Sequence, residues 1–328
     1  MHSVACPPRC TEFPSDATAK NAPAQITRIA LDPPKLTQQA SLRMMNYRQL
    51  SVDYDAATRT LWSRMRPTQR PCFNIDLLQD LHAFAAALKQ CRGLLLIDAV
   101  PQAVEFAVLA SDAPGVFSLG GDLGVFQSRI KAHDEHALRQ YAHLCVRNIW
   151  KRLCHYDSNI TTISLVQGQA LGGGFEAALT ADVLIAERGS TFALPEILFN
   201  LFPGMGALSL LGRRIGMSKA RAILLSGETY SAEDMHDMGI VEVVAERGDG
   251  EAAVRRWISL NRKRRNGFAG IMRSEQCASA VTYQELIAIA DIWVESALNL
   301  NHRDLRMMNR LMRAQERMTP QAPHREAP

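Results

Sequence analysis

Two glutamates twenty residues apart, Glu176 and Glu196, sit in settings suited to acid–base work. Glu176 closes the run Val166-Gln-Gly-Gln-Ala-Leu-Gly-Gly-Gly-Phe-Glu176, and Glu196 ends Thr191-Phe-Ala-Leu-Pro-Glu196. Upstream, Phe117-Ser-Leu-Gly-Gly-Asp-Leu123 supplies a second glycine turn. A glycine turn that opens a helix leaves the first N–H groups without acceptors, and no Cβ blocks an oxygen approaching them. The helix dipole adds positive potential there. Donors at Gly121 and Gly173 would together hold the oxygen of an enolate or a tetrahedral intermediate. Two carboxylates in an apolar pocket split their proton affinities and divide the roles of acid and base. Phe175, Leu194, Ile197, Leu198 and Phe199 supply the apolar surround. A thioester held by its carbonyl has an acidified α-proton. One group removes it while the other protonates a leaving β-hydroxyl. Glu196 is expected to take the α-proton and Glu176 to protonate the hydroxyl.

Each motif alone also has a plain structural reading. A glycine turn can simply pack helix against strand. An acid in a first helical turn complements the dipole, and Asp122 is expected to be a helix cap. Other glycine chemistry is not supported. Gly204-Met-Gly206 does not complete a dinucleotide fingerprint, and neither a phosphate loop nor a Gly-x-Ser-x-Gly elbow occurs.

These residues must be positioned by regular elements. Leu50–Tyr54 and Thr60–Met65 alternate around Asp-Ala-Ala-Thr-Arg, which predicts a hairpin. Asn74 is placed to cap a helix to about Gln90, with Ile75, Leu78, Leu81, His82 and Ala85 on one face. Leu94–Ile97 and Val104–Leu109 read as buried strands, and a long helix is expected over 128–155. Strands at 161–166 and 183–186 flank the glycine segment. Helices follow at about 204–213, 217–226 and 231–237, then a strand at 240–244 and helices over 248–318. Residues 1–46 have no helical or strand period and read as a flexible extension, and 319–328 as a disordered tail. That leaves a core over 47–250 and a helical region over 251–318.

Composition is that of a soluble globular protein: 328 residues, 47% hydrophobic and 21% charged. No apolar run is long enough for a bilayer, and the first ten residues lack the pattern of a secretory signal, so a cytoplasmic location is expected. The seven cysteines are scattered without a Cys-x-x-Cys, which predicts reduced thiols and no zinc site. His133 and His136 read as solvent-facing, and no histidine spacing implies a metal. No metal or organic cofactor is expected.

Together these residues resemble the crotonase (enoyl-CoA hydratase/isomerase) superfamily. The resemblance covers roughly residues 50–300 and is carried by Phe117–Leu123, Val166–Ala186, Thr191–Glu196 and Gly206–Val241. It implies an α/β fold, a spiral of ββα units with a helical C-terminal region, assembled as trimers or hexamers. It also implies an oxyanion hole from the Gly121 and Gly173 N–H groups, with Glu176 and Glu196 catalytic. The Ser-Leu-Gly-Gly-Asp turn, Leu194–Asn200 and Phe202–Gly206 are similar to bacterial diffusible signal factor synthases, the RpfF group. That similarity implies dehydration of a 3-hydroxyacyl thioester on acyl carrier protein to a cis-2-enoyl thioester. It further implies thioester hydrolysis to a free fatty acid signal, and a sensor kinase as a second partner. An ordinary enoyl-CoA hydratase of lipid breakdown shares both glutamates.

An acyl tail needs an apolar tunnel. Leu171 and Gly172 beside the glycine turn, Met205 after Glu196, and Trp293 with Leu311 in the C-terminal helices are the candidates. Basic residues cluster at Arg255, Arg256, Arg262, Lys263, Arg264 and Arg265, and again at Arg303, Arg306, Arg310 and Arg313. They are candidates for docking an acidic carrier protein. No recognition motif supports nucleic-acid binding.

Overall fold

The computed structural model describes residues 47–97 and 100–318. The expected extension 1–46, the tail 319–328, and Cys6 and Cys10 lie outside them.

The chain opens as the predicted hairpin, β1 (Leu50–Asp55) against β2 (Thr60–Met65), antiparallel with Leu50 opposite Met65. Asn74 caps α1 (Ile75–Gln90) by accepting from the Leu77 N–H at 2.9 Å. The buried face of α1 is Leu77, Leu78, Phe84, Ala85 and Leu88, while Ile75 is exposed. The face read from the sequence was thus partly displaced, because Ile75 stands before the first packed turn.

β3 (Leu94–Ile97) and β4 (Val100–Ala103) pair only with each other. Leu94 and Val100 are exposed, so Leu94–Ile97 is a peripheral hairpin strand and not a buried one. The buried run is β5 (Phe106–Ser111), which continues to β6 (Val116–Ser118). The helix expected over 128–155 is two: α2 (Leu123–Lys131) and α3 (Glu135–Leu153). His133 adopts a left-handed φ of 50°, and Asp134 restarts the helix by capping the Ala137 N–H at 3.1 Å.

From β5 onward the path repeats. β5, β7 (Thr161–Val166) and β9 (Val183–Glu187) are parallel neighbours in a six-stranded sheet of order β1-β2-β5-β7-β9-β12. Each is followed by a short strand of a second sheet: β6, β8 (Gln169–Leu171) and β10 (Thr191–Ala193). That sheet has the order β11-β10-β8-β6, with β11 (Thr229–Ser231) antiparallel to β10. Three turns of a ββα spiral result: α2 and α3 follow β6, α4 (Gly173–Ala178) follows β8, and a 3-10 turn at Pro195–Phe199 follows β10. Of these short strands, β8 and β10 were not anticipated. Three residues carry too little periodicity to read.

α5 (Ala207–Ile215), α6 (Met217–Ser226) and α7 (Ala232–Asp237) fall where expected. The strand after them, β12 (Val243–Ala245), starts three residues later than read, because Ile240 and Val241 are buried in the turn before it. The remainder is helical: α8 (Gly250–Asn261), a 3-10 turn at Arg262–Arg264, α9 (Arg265–Ala278), α10 (Tyr283–Leu298) and α11 (His302–Met318). α8 covers one face of the large sheet through Val254, Trp257 and Ile258. α1, α3 and α10 lie in the main core on the other. Among the described residues no helix is long and apolar enough to cross a membrane.

Candidate active site

β6, β8 and β10 are parallel neighbours, so their C-terminal ends lie side by side, where ligands bind in such sheets. The chain beyond β6 is Leu119-Gly120-Gly121. Beyond β8 it is Gly172-Gly173, and beyond β10 it is Pro195-Glu196. The spiral thereby gathers three segments that are far apart in sequence.

The two glycine turns touch. A Cβ on Gly120 would stand 2.7 Å from the Leu171 carbonyl oxygen and 3.0 Å from the Gly173 nitrogen. Gly120 also has φ +89°, so only glycine is at ease there. Phe73 N–H donates to Gly120 O at 2.8 Å, and the Tyr141 hydroxyl donates to Phe73 O, which pins the first turn from α3. The N–H groups of Gly121 and Gly173 have no acceptor among the described residues. They are the two donors expected from the sequence.

Glu176 is buried at 1% exposure in the first turn of α4. Its Oε1 accepts from the Met205 N–H at 2.8 Å and the Ala207 N–H at 2.9 Å. Burial pushes its carboxyl up to about 7 although those amides favour the charged form. Glu196 is the second residue of the 3-10 turn, and its enclosed Oε2 has no partner among the described residues. Burial, and then the charge of Glu176, push its carboxyl up to about 8. A Cβ on Gly172 would lie 2.4 Å from Glu196 Oε1, and Gly172 has φ +51°. The middle glycine turn therefore both opens α4 and makes room for the second carboxylate.

A largely apolar cavity joins these groups. Gly121, Gly172, Gly173, Glu176, Glu196, Met205, Trp293 and Leu311 all line it, so eight of the nine residues expected at the site are brought together. Trp293 is 2% exposed, packs edge-on against Phe126, and leaves no space for a Cβ at Gly204. Leu171 is the exception. Alternation along β8 turns it to a neighbouring open groove with Thr191, Ala193 and Pro195. Met205 contributes its amide to Glu176 as well as a wall. Sequence reading missed that amide, that of Ala207, and Tyr141, all of which meet the site only through the fold. Tyr141, Cys145, Asn148, Ile149 and Arg152 line the cavity at helical spacing along α3. That periodicity was legible, but its destination was not.

The basic residues divide. Arg255 pairs with Glu251 and Asp55, Arg262 with Glu105, and Arg265 donates to Glu105 O. They tie α8 and α9 to the β1–β2 turn and the start of β5, across the large sheet from the cavity. Arg303, Arg306, Arg310 and Arg313 are exposed on α11, the helix that carries Leu311. Among the described residues no group of three or more His, Cys, Asp or Glu is placed to hold a metal.

Two open amide donors beside two carboxyls with raised proton affinity define a site of the class that polarises a carbonyl and moves protons next to it. Comparison with known proteins agrees. Residues 65–304 match the family model for enoyl-CoA hydratase/isomerase, and the chain belongs to that family. Its fold is similar to an enoyl-CoA hydratase from Bacillus halodurans (TM-score 0.66, 18% identity), covering 80% of this chain and 99% of that one. It is also similar to DspI of Pseudomonas aeruginosa (TM-score 0.59, 24% identity), covering 71% of this chain and 88% of that one. In sequence it is 29% identical over 161 residues to the mitochondrial methylglutaconyl-CoA hydratase of Mus musculus, 49% of each chain. It is 38% identical over 96 residues to the 2,3-dehydroadipyl-CoA hydratase of Escherichia coli (strain K12), 29% of this chain and 37% of that one. The chain spans about half or less of the length of these curated relatives.

Proposed function

We propose that the protein dehydrates a 3-hydroxyacyl thioester on acyl carrier protein to a cis-2-enoyl thioester. It then hydrolyses that thioester, releasing a free unsaturated fatty acid of the diffusible-signal type. The observation that carries this reading is the enclosed pair Glu176 and Glu196 beside the open Gly121 and Gly173 amides. The amides receive the thioester oxygen. One carboxylate takes the α-proton, the C–O bond to the β-hydroxyl breaks, and the other carboxyl protonates the departing oxygen as water. In the second step a water activated by the pair attacks the carbonyl. The same amides hold the tetrahedral oxyanion, and the C–S bond breaks with a proton delivered to sulfur.

Near neutral pH such a pair holds about one proton. In the free site that proton favours Glu196, whose enclosed Oε2 has no partner among the described residues, over Glu176, whose Oε1 accepts from two amides. Dehydration with Glu196 as base starts from the other microstate. The resting arrangement is the one that adds water to an enoyl group: ionised Glu176 activates water and protonated Glu196 supplies the α-proton. This observation, with the hydratases among the relatives, supports a second reading as an enoyl-CoA hydratase.

Incubation with 3-hydroxydodecanoyl acyl carrier protein, with products identified by mass spectrometry, separates the readings. Free cis-2 acid is expected. Trans-2-enoyl thioester alone would establish the hydratase, and no turnover of any 3-hydroxyacyl or enoyl thioester would overturn both. The four exposed arginines of α11 favour an anionic carrier, whether acyl carrier protein or the phosphates of CoA, and predict salt-sensitive KM. α9 buries none of its residues within one chain, and Leu260 and Ile271 are exposed. This supports a trimer or hexamer, which sedimentation would measure. Co-purification with a sensor kinase by the Glu176→Gln/Glu196→Gln double variant would show whether such a partner needs the active chemistry.

A further inference from the structure

The cavity does not end in hydrocarbon. Along α3 its lining runs from Tyr141, beside the Gly121 turn, to Arg152, eleven residues on. Arg152 is 5% exposed, and among the described residues no carboxylate pairs with it. Its guanidinium donates to Ile163 O at 2.7 Å, Ser164 Oγ at 3.2 Å and the Tyr156 hydroxyl at 3.3 Å, while its enclosed Nε has no partner. Asn148, one turn earlier and also lining the cavity, donates from Nδ2 to Leu78 O at 3.0 Å and leaves its enclosed Oδ1 unpartnered. Buried arginine is found almost only with a counter-charge, and buried polar atoms with a partner. One donor and one acceptor, on residues a helical turn apart that both line this largely apolar cavity, thus lack partners among the described residues.

Tyr156, which meets Arg152 there, is held by unusual backbone. His155, Tyr156 and Asp157 have φ of 51°, 55° and 53°, three successive left-handed residues without a glycine. L-residues adopt this only where surrounding contacts hold them. Here His155 Nε2 meets Asp182 Oδ1 at 2.8 Å, and Asp182 Oδ2 accepts from Thr162 N–H at 2.8 Å. The turn leaves the Tyr156 ring edge-on to Phe84 and its hydroxyl on Arg152.

We infer that Arg152, Asn148 and Tyr156 form a subsite for a hydrogen-bonding oxygen at the far end of the acyl chain, a terminal hydroxyl or carboxylate. A hydroxyl would satisfy both orphaned atoms at once, accepting from Arg152 Nε and donating to Asn148 Oδ1. A carboxylate would instead supply the counter-charge that Arg152 lacks. The helix fixes the reach: eleven residues of α3 span about 16 Å, or about 12–13 bonds of an extended chain at roughly 1.2–1.3 Å each. The preferred substrate is therefore a 3-hydroxyacyl thioester of about 12 carbons oxygenated at its end. The inference rests on the proposed reading only in taking this cavity as the acyl site.

The test compares kcat/KM for 3-hydroxydodecanoyl thioester with its 12-hydroxy and 12-carboxy counterparts, in the wild type, Arg152→Met and Tyr156→Phe. The wild type is expected to favour an oxygenated chain at least tenfold, since sites built to hydrogen-bond a substrate group reject the analogue lacking it. Arg152→Met should erase or invert that ratio, most for the carboxylate, and Tyr156→Phe should reduce it. A ratio is insensitive to a general loss of folded protein. Binding of dodecanoate, 12-hydroxydodecanoate and dodecanedioate to the wild type, by calorimetry, reads the subsite without turnover. If no thioester turns over but the oxygenated acids bind at least tenfold tighter, the subsite stands and the proposed reaction falls. A wild type that prefers the plain chain, with the ratio unmoved in both variants, would show that this end holds water only and that Arg152 is a strut between α3 and β7.

Discussion

On one face of the large sheet, α8 packs Val254, Trp257 and Ile258 against Phe106, Val108 and Ile163. Phe106 and Trp257 meet edge-on, and the arginines at the rim pair with Glu105 and Glu251. On the other face, α1 and α3 enclose a channel with the sheet. Of four enclosed side-chain polar atoms without partners among the described residues, three line that channel: Asn148 Oδ1, Arg152 Nε and Glu196 Oε2. The fourth, Trp62 Nε1, belongs to the α8 face, where Arg64 and Arg255 stack over its ring. The difference shows where the fold stores chemistry. The α8 face is built for cohesion, while the channel face keeps polar groups short of partners that a substrate can supply.

The largest expected effect breaks the channel face alone. Glu176→Gln or Glu196→Gln should lower kcat/KM by roughly 10²–10⁴, the usual contribution of a positioned acid or base, with no loss of thermal stability. The complementary lesion is Trp257→Ala, which should cost about 3–5 kcal/mol in denaturant unfolding while the remaining folded protein keeps kcat within about twofold. A large kcat loss in Trp257→Ala would mean that the faces are not independent.

Gly172→Ala sharpens the contrast, because its Cβ would reach 2.4 Å from Glu196 Oε1 in a left-handed conformation. Displacing a reacting group by about 1 Å costs about 10²-fold in rate, so Gly172→Ala should lower kcat by about that factor, and thermal melting measured alongside reads the strain at this buried position.

These sites were legible in the sequence to different depths. The glycine turns and both glutamates stood out because each lies in a contiguous motif whose chemistry is local. The hairpin β1–β2 and the Asn74 cap were readable for the same reason. The donors to Glu176 were not, since the Met205 and Ala207 amides lie about thirty residues downstream and carry no side-chain signal. The short strands β8 and β10 escaped, and so did the His133–Asp134 break, where one capping carboxylate outweighed continuous helical periodicity. Arg152 lies in no motif, and only its enclosure distinguishes it from other basic residues at helix ends. Leu171 was misplaced because β8 itself went unseen, and strand alternation decides which way it points.

Two smaller effects complete the comparison. Both carboxyls lie above the ordinary 4.5 in the fold, at about 7 and about 8, so the folded state holds more protons than the unfolded chain between those limits. Stability therefore falls as pH rises from about 4.5 to 8. Glu196→Gln should gain on the wild type by at least about 1 kcal/mol at pH 8 relative to pH 5, read from paired denaturation curves. Arg255→Ala, on the other face, should change stability by only about 0.5 kcal/mol and less in high salt, since its ion pairs are exposed.

The most direct measurement is product formation from 3-hydroxydodecanoyl acyl carrier protein by the wild type, Glu176→Gln and Glu196→Gln side by side. The wild type should release free enoic acid, and each variant should fall by roughly 10²–10⁴. Either variant releasing free enoic acid at near wild-type rate would contradict an acid–base role for the pair.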